Sequence, residues 1–380
     1  MNKVIYLDNS ATTKPCKETV EAIHNCLSEN WGNPSSGYLP GINALEIIEN
    51  SRRIIADSIG ARENEIYFTG SGTEANNLAV FGVAHARKKL GNKIVSTTIE
   101  HPSVLKALEA LTTEGFDVVL ISPDKNGIIS EESLYNAIDS RTVLVSIMLC
   151  NNEIGSVQPL SAAARIIKEK NAPALLHCDA VQAYGKLPVK VSKLGVDLLS
   201  ASGHKIHASK GIGFLYKANK VNIHPLIYGG GQEKGLRSGT ESVPLIAGFA
   251  AAVKALPNEQ EQLAVQTELC EKAKELLTDT GKVFINSPQN ALPYILNISI
   301  DGYKSEPMLN ALAAKNIFVS KGSACAKGHR SYVLSEIGLN NDRIDSAIRI
   351  SFSRDNTLED IVCLCEAINE ITNKMRRFKK

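Results

Sequence analysis

The sequence lacks a long hydrophobic run, a strong net charge and the signal pattern of an exported protein. No apolar run reaches the roughly 18 residues that a helix needs to cross a bilayer. Because 42 lysines and arginines face 40 acidic residues, the net charge of +2 does not favour nucleic acid or a membrane as the main partner. Residues 1–8 carry no signal or transit pattern. We therefore expect a cytoplasmic protein that binds a small molecule.

The eight cysteines form neither a disulfide framework nor a metal site. They are scattered through a large chain, which is typical of reduced thiols. None of their spacings matches that of metal ligands, and no metal is expected. Internal repeats and low-complexity linkers are also absent from the sequence.

The length and the order of predicted elements indicate two domains of different character. A chain of 380 residues with 43% hydrophobic content can bury one large core and a second, smaller one. Apolar strands at 93–98, 118–122, 142–149, 174–178 and 196–199 are mostly separated by helices, which predicts an α/β domain with a mainly parallel sheet flanked by helices. Beyond Pro257, strands at 295–300 and 318–320 and two helices suggest a smaller α+β domain. We place the large domain at 15–257 and the small one at 1–14 and 258–380.

One lysine stands in a small polar turn between two apolar runs. The turn contains Ser202, Gly203, His204 and Lys205, and the runs at 196–199 and 212–215 suit buried strands. A lysine held there among small residues, partly desolvated, would have a lowered pKa and a nucleophilic amine. On this segment alone, a surface hairpin with a solvated lysine is the favoured interpretation.

A glycine-rich turn joins a predicted strand at 65–68 to a helix that begins near Thr73. Such a turn presents free backbone N–H groups and the positive end of the helix to an anion, usually a phosphate. Gly72 and Thr73 are the candidate anion-binding residues. By itself the turn could equally serve only to connect the two elements.

Polar residues follow several predicted strands at the edge where parallel sheets bind ligands. They are His101, Asn152, Asp179, Gln182 and Lys205. Helix capping is the alternative explanation for His101 and Asp179.

These residues together suit a pyridoxal phosphate site. If the anion at Gly72 is the phosphate of an aromatic aldehyde cofactor joined to Lys205, Asp179 would pair with its pyridine nitrogen. Gln182 and Asn152 could hydrogen-bond its phenolic oxygen. The His101 ring could stack on the cofactor ring and move protons. Ser202 and His204 could make additional contacts to the phosphate.

Short motifs spread over most of the chain carry a family resemblance. They include Ser202-Gly203-His204-Lys205 and Gly322-Ser323-Ala324-Cys325, and occupy residues 6–13, 32–36, 72–77, 100–102, 151–155, 179–182, 202–205, 230–241, 322–325 and 348–351. In this set and order the chain resembles the cysteine desulfurases of the NifS/IscS type, which belong to the class V aminotransferase group of fold-type I pyridoxal phosphate enzymes.

The resemblance implies roles at the matching positions. Lys205 would carry the cofactor, and its phosphate would be held by Thr73, Ser202, His204 and, from the neighbouring subunit of a homodimer, Thr240. Arg349 would bind the substrate carboxylate together with Asn152. A planar guanidinium fork suits a carboxylate, because it can donate two parallel hydrogen bonds.

The resemblance also implies a sulfur transfer. L-Cysteine would become L-alanine while its sulfur passes to Cys325 as a persulfide, and Lys321, Lys327 and Arg330 nearby would favour the thiolate. The final acceptor would be a protein, either an iron–sulfur scaffold or a tRNA-thiolating enzyme. Only 326–330 separate Cys325 from the next motif-like segment, a shorter loop than in many family members. Neither a membrane nor direct nucleic-acid binding is expected.

Three alternatives stay open at this level. The nearest is a selenocysteine lyase or an aminotransferase on the same scaffold. A nucleotide-binding module could use the turn at 70–73, and a non-catalytic sulfur carrier could have kept the fold.

Overall fold

The computed structural model describes residues 3–279, 281–322 and 330–374. Strands occupy β1 (Ile5–Tyr6), β2 (Ile66–Thr69), β3 (Lys93–Thr97), β4 (Asp117–Ile121), β5 (Thr142–Met148), β6 (Leu175–Asp179), β7 (Leu198–Ser202), β8 (Gly213–Lys217), β9 (Val283–Ile285), β10 (Ile295–Ile300), β11 (Ile317–Phe318) and β12 (Ala347–Ser351). Helices occupy α1 (Lys17–Glu29), α2 (Leu39–Ile59), α3 (Gly72–Arg87), α4 (Pro102–Thr113), α5 (Glu131–Ala137), α6 (Leu160–Glu169), α7 (Val191–Leu194), α8 (Val243–Lys254), α9 (Glu259–Thr278), α10 (Ser305–Ala313), α11 (Tyr332–Glu336), α12 (Asn341–Asp345) and α13 (Leu358–Lys374).

A seven-stranded sheet forms the centre of the larger part of the chain. Its strand order is β2-β8-β7-β6-β5-β3-β4, and β4, β3, β5, β6 and β7 are mutually parallel. Every residue of β5 and β6 is buried, because helices cover both faces of the sheet. The prediction of an α/β fold with a mainly parallel sheet is therefore confirmed.

Strand β8 departs from the parallel arrangement. It pairs antiparallel with both β7 and β2. Only 203–212 connect β7 to β8, and this segment is shorter than the crossover of a dozen or more residues that a parallel neighbour needs. The connecting segment instead folds into a compact turn, and its first residues form the 3₁₀ turn Gly203–Lys205.

The second part of the chain is built on an antiparallel sheet of β12, β10 and β9. Its apolar core combines this sheet with α9, α10 and α13, and it also takes in Ile5 and Leu7 from the start of the chain. The short strand β9 is missing from the predicted elements, since three residues with one exposed side chain give no clear periodicity. The bounds of 15–257 for one domain and of 1–14 with 258–380 for the other stay a prediction.

A smaller apolar cluster joins the two parts beside the strand ends. Ile99 and Ile154, which follow β3 and β5, pack against Val333 and Leu334 of α11. The segments after β3 and β5 are thereby held in place by the second part of the chain. In the described ranges, no helix is long and apolar enough to cross a membrane, and no group of three potential metal ligands occurs.

A buried ion pair fixes the segment that leads to Thr240. The Arg52 guanidinium donates two hydrogen bonds of 2.9 Å to the Glu233 carboxylate, and both side chains are almost fully buried. Glu233 also accepts a hydrogen bond from the backbone N–H of Phe68 at 2.8 Å. The pair therefore ties α2 and β2 to the segment after residue 228.

Glu233→Ala should destabilise the protein by about 3–5 kcal/mol, because it removes the buried carboxylate from Arg52 and leaves that guanidinium with only the half-exposed Glu49 at 3.3 Å. Glu63→Ala is the matched control, since Glu63 pairs with Arg53 at 3.4 Å while both side chains are at least half exposed. Glu63→Ala should lower the free energy of unfolding by less than about 1 kcal/mol. Urea unfolding of both variants measures the two losses, and similar values would contradict this ranking.

Candidate active site

A cavity of about 790 Å³ opens at the carboxyl ends of β3, β5, β6 and β7. It brings together most of the residues that the sequence predicts for the site. Those that line it are Gly72, Thr73, His101, Asn152, Asp179, Gln182, Ser202, His204, Lys205 and Arg349.

The amine of Lys205 points at the backbone of the N-terminal segment. Its Nζ donates hydrogen bonds to the carbonyl oxygens of Ser10, at 2.5 Å, and Ala11, at 2.8 Å. The turn that carries it follows β7 directly, and β7 and β8 are buried strands in the body of the sheet. A surface hairpin with a solvated lysine is therefore the wrong interpretation.

Burial lowers the pKa of Lys205 from 10.5 to about 7. The positive charges of Lys186 and Arg349 contribute to this lower pKa, while the carboxylates of Asp8 and Asp179 oppose the shift. At neutral pH a large fraction of this amine is consequently unprotonated and able to attack a carbonyl carbon.

Asp179 supplies a fixed carboxylate at the end of β6. One oxygen accepts a hydrogen bond from the Asn76 side-chain amide at 2.7 Å, and the other accepts from the backbone N–H of Val181 at 2.9 Å. The second bond closes a local turn and does not cap a helix. Because two donors hold it, the buried carboxylate has one orientation toward the cavity.

His101 both caps a helix and lines the cavity. Its Nδ1 accepts a hydrogen bond from the backbone N–H of Ser103 at the start of α4, so the proton of the neutral ring is on Nε2. Asn76 donates to the Ser103 hydroxyl at 2.9 Å and so connects His101 with Asp179. Burial lowers the pKa of His101 although Asp179 acts in the opposite direction. His101 therefore caps α4 and also lines the cavity, so the two interpretations do not exclude each other.

The N-terminus of α3 approaches the cavity so closely that only glycine fits its first position. A Cβ on Gly72 would lie 2.7 Å from Val181 Cγ2 and 3.2 Å from Ser202 Cβ. Thr73 is exposed on the next position of the same helix. His204 faces this end as a neutral ring, because burial and the charge of Lys205 lower its pKa to about 4. The first turn of α3 can therefore accept an anion beside uncharged donors.

Arg349 forms the opposite wall of the cavity from β12. One of its terminal nitrogens donates to the Asp8 carboxylate at 2.7 Å and to the Ser320 hydroxyl at 3.2 Å. The other donates to the carbonyl oxygens of Asn152, at 2.9 Å, and Gly322, at 3.2 Å. Its Nε finds no partner among the described residues. The guanidinium is thus rigidly held with one donor unused.

Among the described residues, Gly203 and Thr240 are the two predicted residues that are not brought to the cavity wall. Gly203 faces the core behind the lysine, where a Cβ would lie 2.9 Å from Ile212 Cγ2. Thr240 is exposed and lies outside this cavity. Cys325 lies outside the described residues, so its predicted role as sulfur acceptor stays a prediction.

Several residues of the site escape sequence reasoning. Asn76 lies one helical turn after Gly72, and this spacing on one face of α3 is a signal that could have identified it. Ser103 follows His101 by two residues and offers no comparable pattern. The carbonyl groups of Ser10 and Ala11 have no local signal, since they meet Lys205 only through the tertiary fold.

Glu100 is a second buried carboxyl group beside the site. One oxygen accepts hydrogen bonds from the Thr97 hydroxyl at 2.8 Å and the Met148 N–H at 2.9 Å. The other oxygen has no partner in the described part of the chain. Burial raises the pKa of Glu100 to about 8, and the nearby charge of Asp179 adds to the rise.

Comparison with known proteins identifies the family. Residues 5–364 match the family model described as aminotransferase class-V. The chain belongs to the class-V aminotransferase family. It is 41% identical to the cysteine desulfurase IscS of Methanosarcina thermophila over 99% of this chain and 94% of that protein. It is 39% identical to the putative cysteine desulfurase IscS 1 of Bacillus subtilis, with 98% and 99% of the two chains covered.

Solved structures agree with this class-V assignment. A NifS-like protein superposes with a TM-score of 0.93 at 36% identity, covering 98% of this chain and all of that one. SspA in complex with cysteine gives a TM-score of 0.82 at 34% identity, with 92% and 98% covered. The chain is therefore a cysteine desulfurase of the NifS/IscS type with a fold-type I architecture, as predicted. The family consists of pyridoxal phosphate enzymes, and the other predicted functions are not favoured.

Glu100→Gln should remove a pH dependence of stability. The folded-state pKa of about 8 lies above the ordinary value of 4.5, so the wild type loses stability as pH rises through this window. Relative to wild type, the free energy of unfolding of the variant should increase by on the order of a few kcal/mol between pH 5 and pH 8.

Denaturant unfolding at the two pH values measures this difference. Glu132→Gln, on the exposed side of α5, is the control and should show the same difference from wild type at both. A constant difference for Glu100→Gln would show that its carboxyl group ionises normally.

Proposed function

We propose that this protein is a pyridoxal phosphate-dependent enzyme that converts L-cysteine to L-alanine and transfers the sulfur to Cys325 as a persulfide. The observation that carries the proposal is the buried amine of Lys205 in one cavity with the Asp179 carboxylate and the first turn of α3. The cysteine desulfurase names of the relatives support the same reaction.

The cavity has the donors and acceptors that this cofactor requires. Lys205 would bind its aldehyde carbon, Asp179 would pair with its pyridine nitrogen and His101 would stack on its ring. Its phosphate would meet Gly72 and Thr73 at the glycine turn and Ser202 and His204 at the lysine turn. Gln182 and Asn152 would hydrogen-bond its phenolic oxygen. When bound, the cofactor supplies an electron sink for the substrate Cα.

Unpaired buried atoms support this fit. The Ser10 hydroxyl, the Asn76 and Asn152 side-chain oxygens and the Arg349 Nε all lie at cavity-lining residues and have no hydrogen-bond partner within the described ranges. Buried polar atoms are usually satisfied, so this group indicates a site that is completed by a polar ligand.

Arg349 and Asn152 would bind the carboxylate of L-cysteine. The guanidinium is positioned by Asp8 and Ser320, and its Nε has no hydrogen-bond partner among the described residues. The Lys205 amine, whose pKa is lowered to about 7, would take a proton from the substrate Cα. The neutral His101 ring can hold a second proton during the same reaction.

Sulfur transfer would use Cys325 as the nucleophile. Its thiolate attacks the substrate sulfur, the carbon–sulfur bond breaks and a sulfur–sulfur bond forms. The substrate carbon takes a proton and leaves as L-alanine. Gly322 and Arg330, which border the segment that contains Cys325, line the cavity. This placement supports access of that segment to the substrate.

A homodimer would complete the phosphate site with Thr240 of the second subunit. Thr240 is exposed in a single chain. Large apolar side chains are also exposed, among them Trp31, Tyr38, Leu39 and Tyr228. Such exposure is typical of an interaction surface. The persulfide would pass to an acceptor protein, an iron–sulfur scaffold or a tRNA-thiolating enzyme, and the cytoplasmic location stays a prediction.

The purified protein loaded with pyridoxal phosphate should be yellow and should release alanine and sulfide from L-cysteine in equal amounts under a reductant. Lys205→Ala should lose both the visible absorbance and the activity, because the aldehyde has no amine to bind. Lys193→Ala, an exposed lysine on α7, should keep both. A wild-type protein that takes up no pyridoxal phosphate would refute the proposal.

Cys325→Ser should keep the visible absorbance but form no persulfide, since a hydroxyl cannot accept the sulfur. Alanine release should fall to background. Mass spectrometry of the cysteine-treated protein would detect the added sulfur atom. Cys363→Ser, on α13 in the second part of the chain, is the thiol control. Full activity of Cys325→Ser would reassign the acceptor.

A further inference from the structure

Lys186 is a buried lysine that the proposed reaction does not use. It lies in the turn after β6 and is only 7% exposed. Its Nζ donates a hydrogen bond of 3.1 Å to Gln182 Oε1 and lies 5.9 Å from the centre of the Tyr294 ring. Among the described residues, no carboxylate lies within ion-pair distance of it. A buried amine with so few partners is costly, which indicates a role beyond packing.

A chain of hydrogen bonds leads from Lys186 to Lys205. A protonated Nζ donates hydrogen bonds and cannot accept them. Gln182 therefore presents its oxygen to Lys186, and its nitrogen donates to the carbonyl oxygen of Ser10 at 2.9 Å. The same Ser10 carbonyl accepts the hydrogen bond from Lys205. Lys186 therefore fixes which end of the Gln182 amide faces each neighbour.

The charges around Lys205 come from several elements. The cations are Lys186 and Arg349, the carboxylates are Asp8 and Asp179, and the imidazoles of His101 and His204 are neutral. After burial, the charge of Lys186 is the largest influence that lowers the pKa of Lys205.

Lys186 has its own charged surroundings. The nearby titratable and charged groups are Cys150, Arg349, Lys205, His204 and His207. Burial lowers the pKa of Lys186 to about 8, so the amine is still largely charged at neutral pH.

We propose that Lys186 is a positioning residue for the reactive lysine: it orients the Gln182 amide, and its positive charge keeps the Lys205 amine in the unprotonated, nucleophilic form. The effect on the free amine depends on the protein alone. The orientation of Gln182 toward the phenolic oxygen of the cofactor rests on the proposed function.

Competitive labelling with acetic anhydride tests the effect on the free amine. The cofactor-free protein is labelled across pH 6 to 10, and mass spectrometry follows the peptide that contains Lys205. In Lys186→Met the labelling midpoint should rise by about one pH unit, with up to tenfold slower labelling near pH 7. Lys193→Met is the matched control, because it removes an exposed lysine from the following helix.

The loaded protein provides the second readout. The pH midpoint of its visible absorbance change should also rise in Lys186→Met. Gln182→Leu, combined with Lys186→Met in a double-mutant cycle, should give a smaller shift than the sum of the single variants, because part of the effect passes through the amide. Lys186→Gln, which is neutral but polar, replaces Lys186→Met if that variant does not fold.

An unchanged labelling midpoint in a folded Lys186 variant would overturn the proposal. A rise that also occurs in Lys193→Met would overturn it as well, since it would reflect a general loss of charge. A protein that takes up no pyridoxal phosphate would refute the proposed function, while the labelling experiment would still decide the effect of Lys186 on the amine.

Discussion

The desolvation of the Lys205 amine is the constraint on which the site depends. An ammonium group loses much of its hydration when it is buried. The pKa of Lys205 therefore falls to about 7, and a large fraction of the group is the neutral amine at neutral pH. This burial requires the short connection from β7 to β8, which forms a compact turn, and the N-terminal segment, which covers the amine with its carbonyl groups. The nucleophile is thus produced by the packing of two segments that are distant in the sequence.

The Asp179 carboxylate, a negative charge in the cavity, is held by two hydrogen bonds. Asn76 donates to both the Asp179 carboxylate and the Ser103 hydroxyl, and Ser103 in turn fixes the His101 ring. One helix therefore orients a carboxylate and an imidazole that belong to different strand ends. Because every contact in this network is a hydrogen bond between buried or half-buried groups, the positions are defined before any ligand arrives.

The second part of the chain contributes the wall of the cavity that contains Arg349. Strand β12 brings Arg349 to the end of β5, where it binds the Asn152 carbonyl, and the pair with Asp8 ties it to the N-terminal segment. The same two parts meet again where Ile99 and Ile154 pack on α11. The Arg349 guanidinium and the residues at the strand ends are therefore held together by contacts between the two parts of the chain.

The sequence by itself determined the architecture and most of the cavity wall. Continuous apolar strands such as β5 predict a covered parallel sheet, and polar residues directly after the strands, such as His101 and Asp179, must gather at one edge. The glycine at position 72 and the motif around Lys205 predicted an anion site and a reactive amine. These features are local, so they can be recognised within a few residues.

Only the tertiary structure decided the contacts between distant segments. The Ser10 carbonyl meets Lys205, and Asn76 meets Asp179, across more than 100 positions of sequence. No local pattern encodes such meetings, because a carbonyl group is present in every residue and an asparagine is common on helix surfaces. The burial that makes Lys205 reactive and Lys186 unusual likewise exists only once the sheet, the turn and the N-terminal segment are packed together.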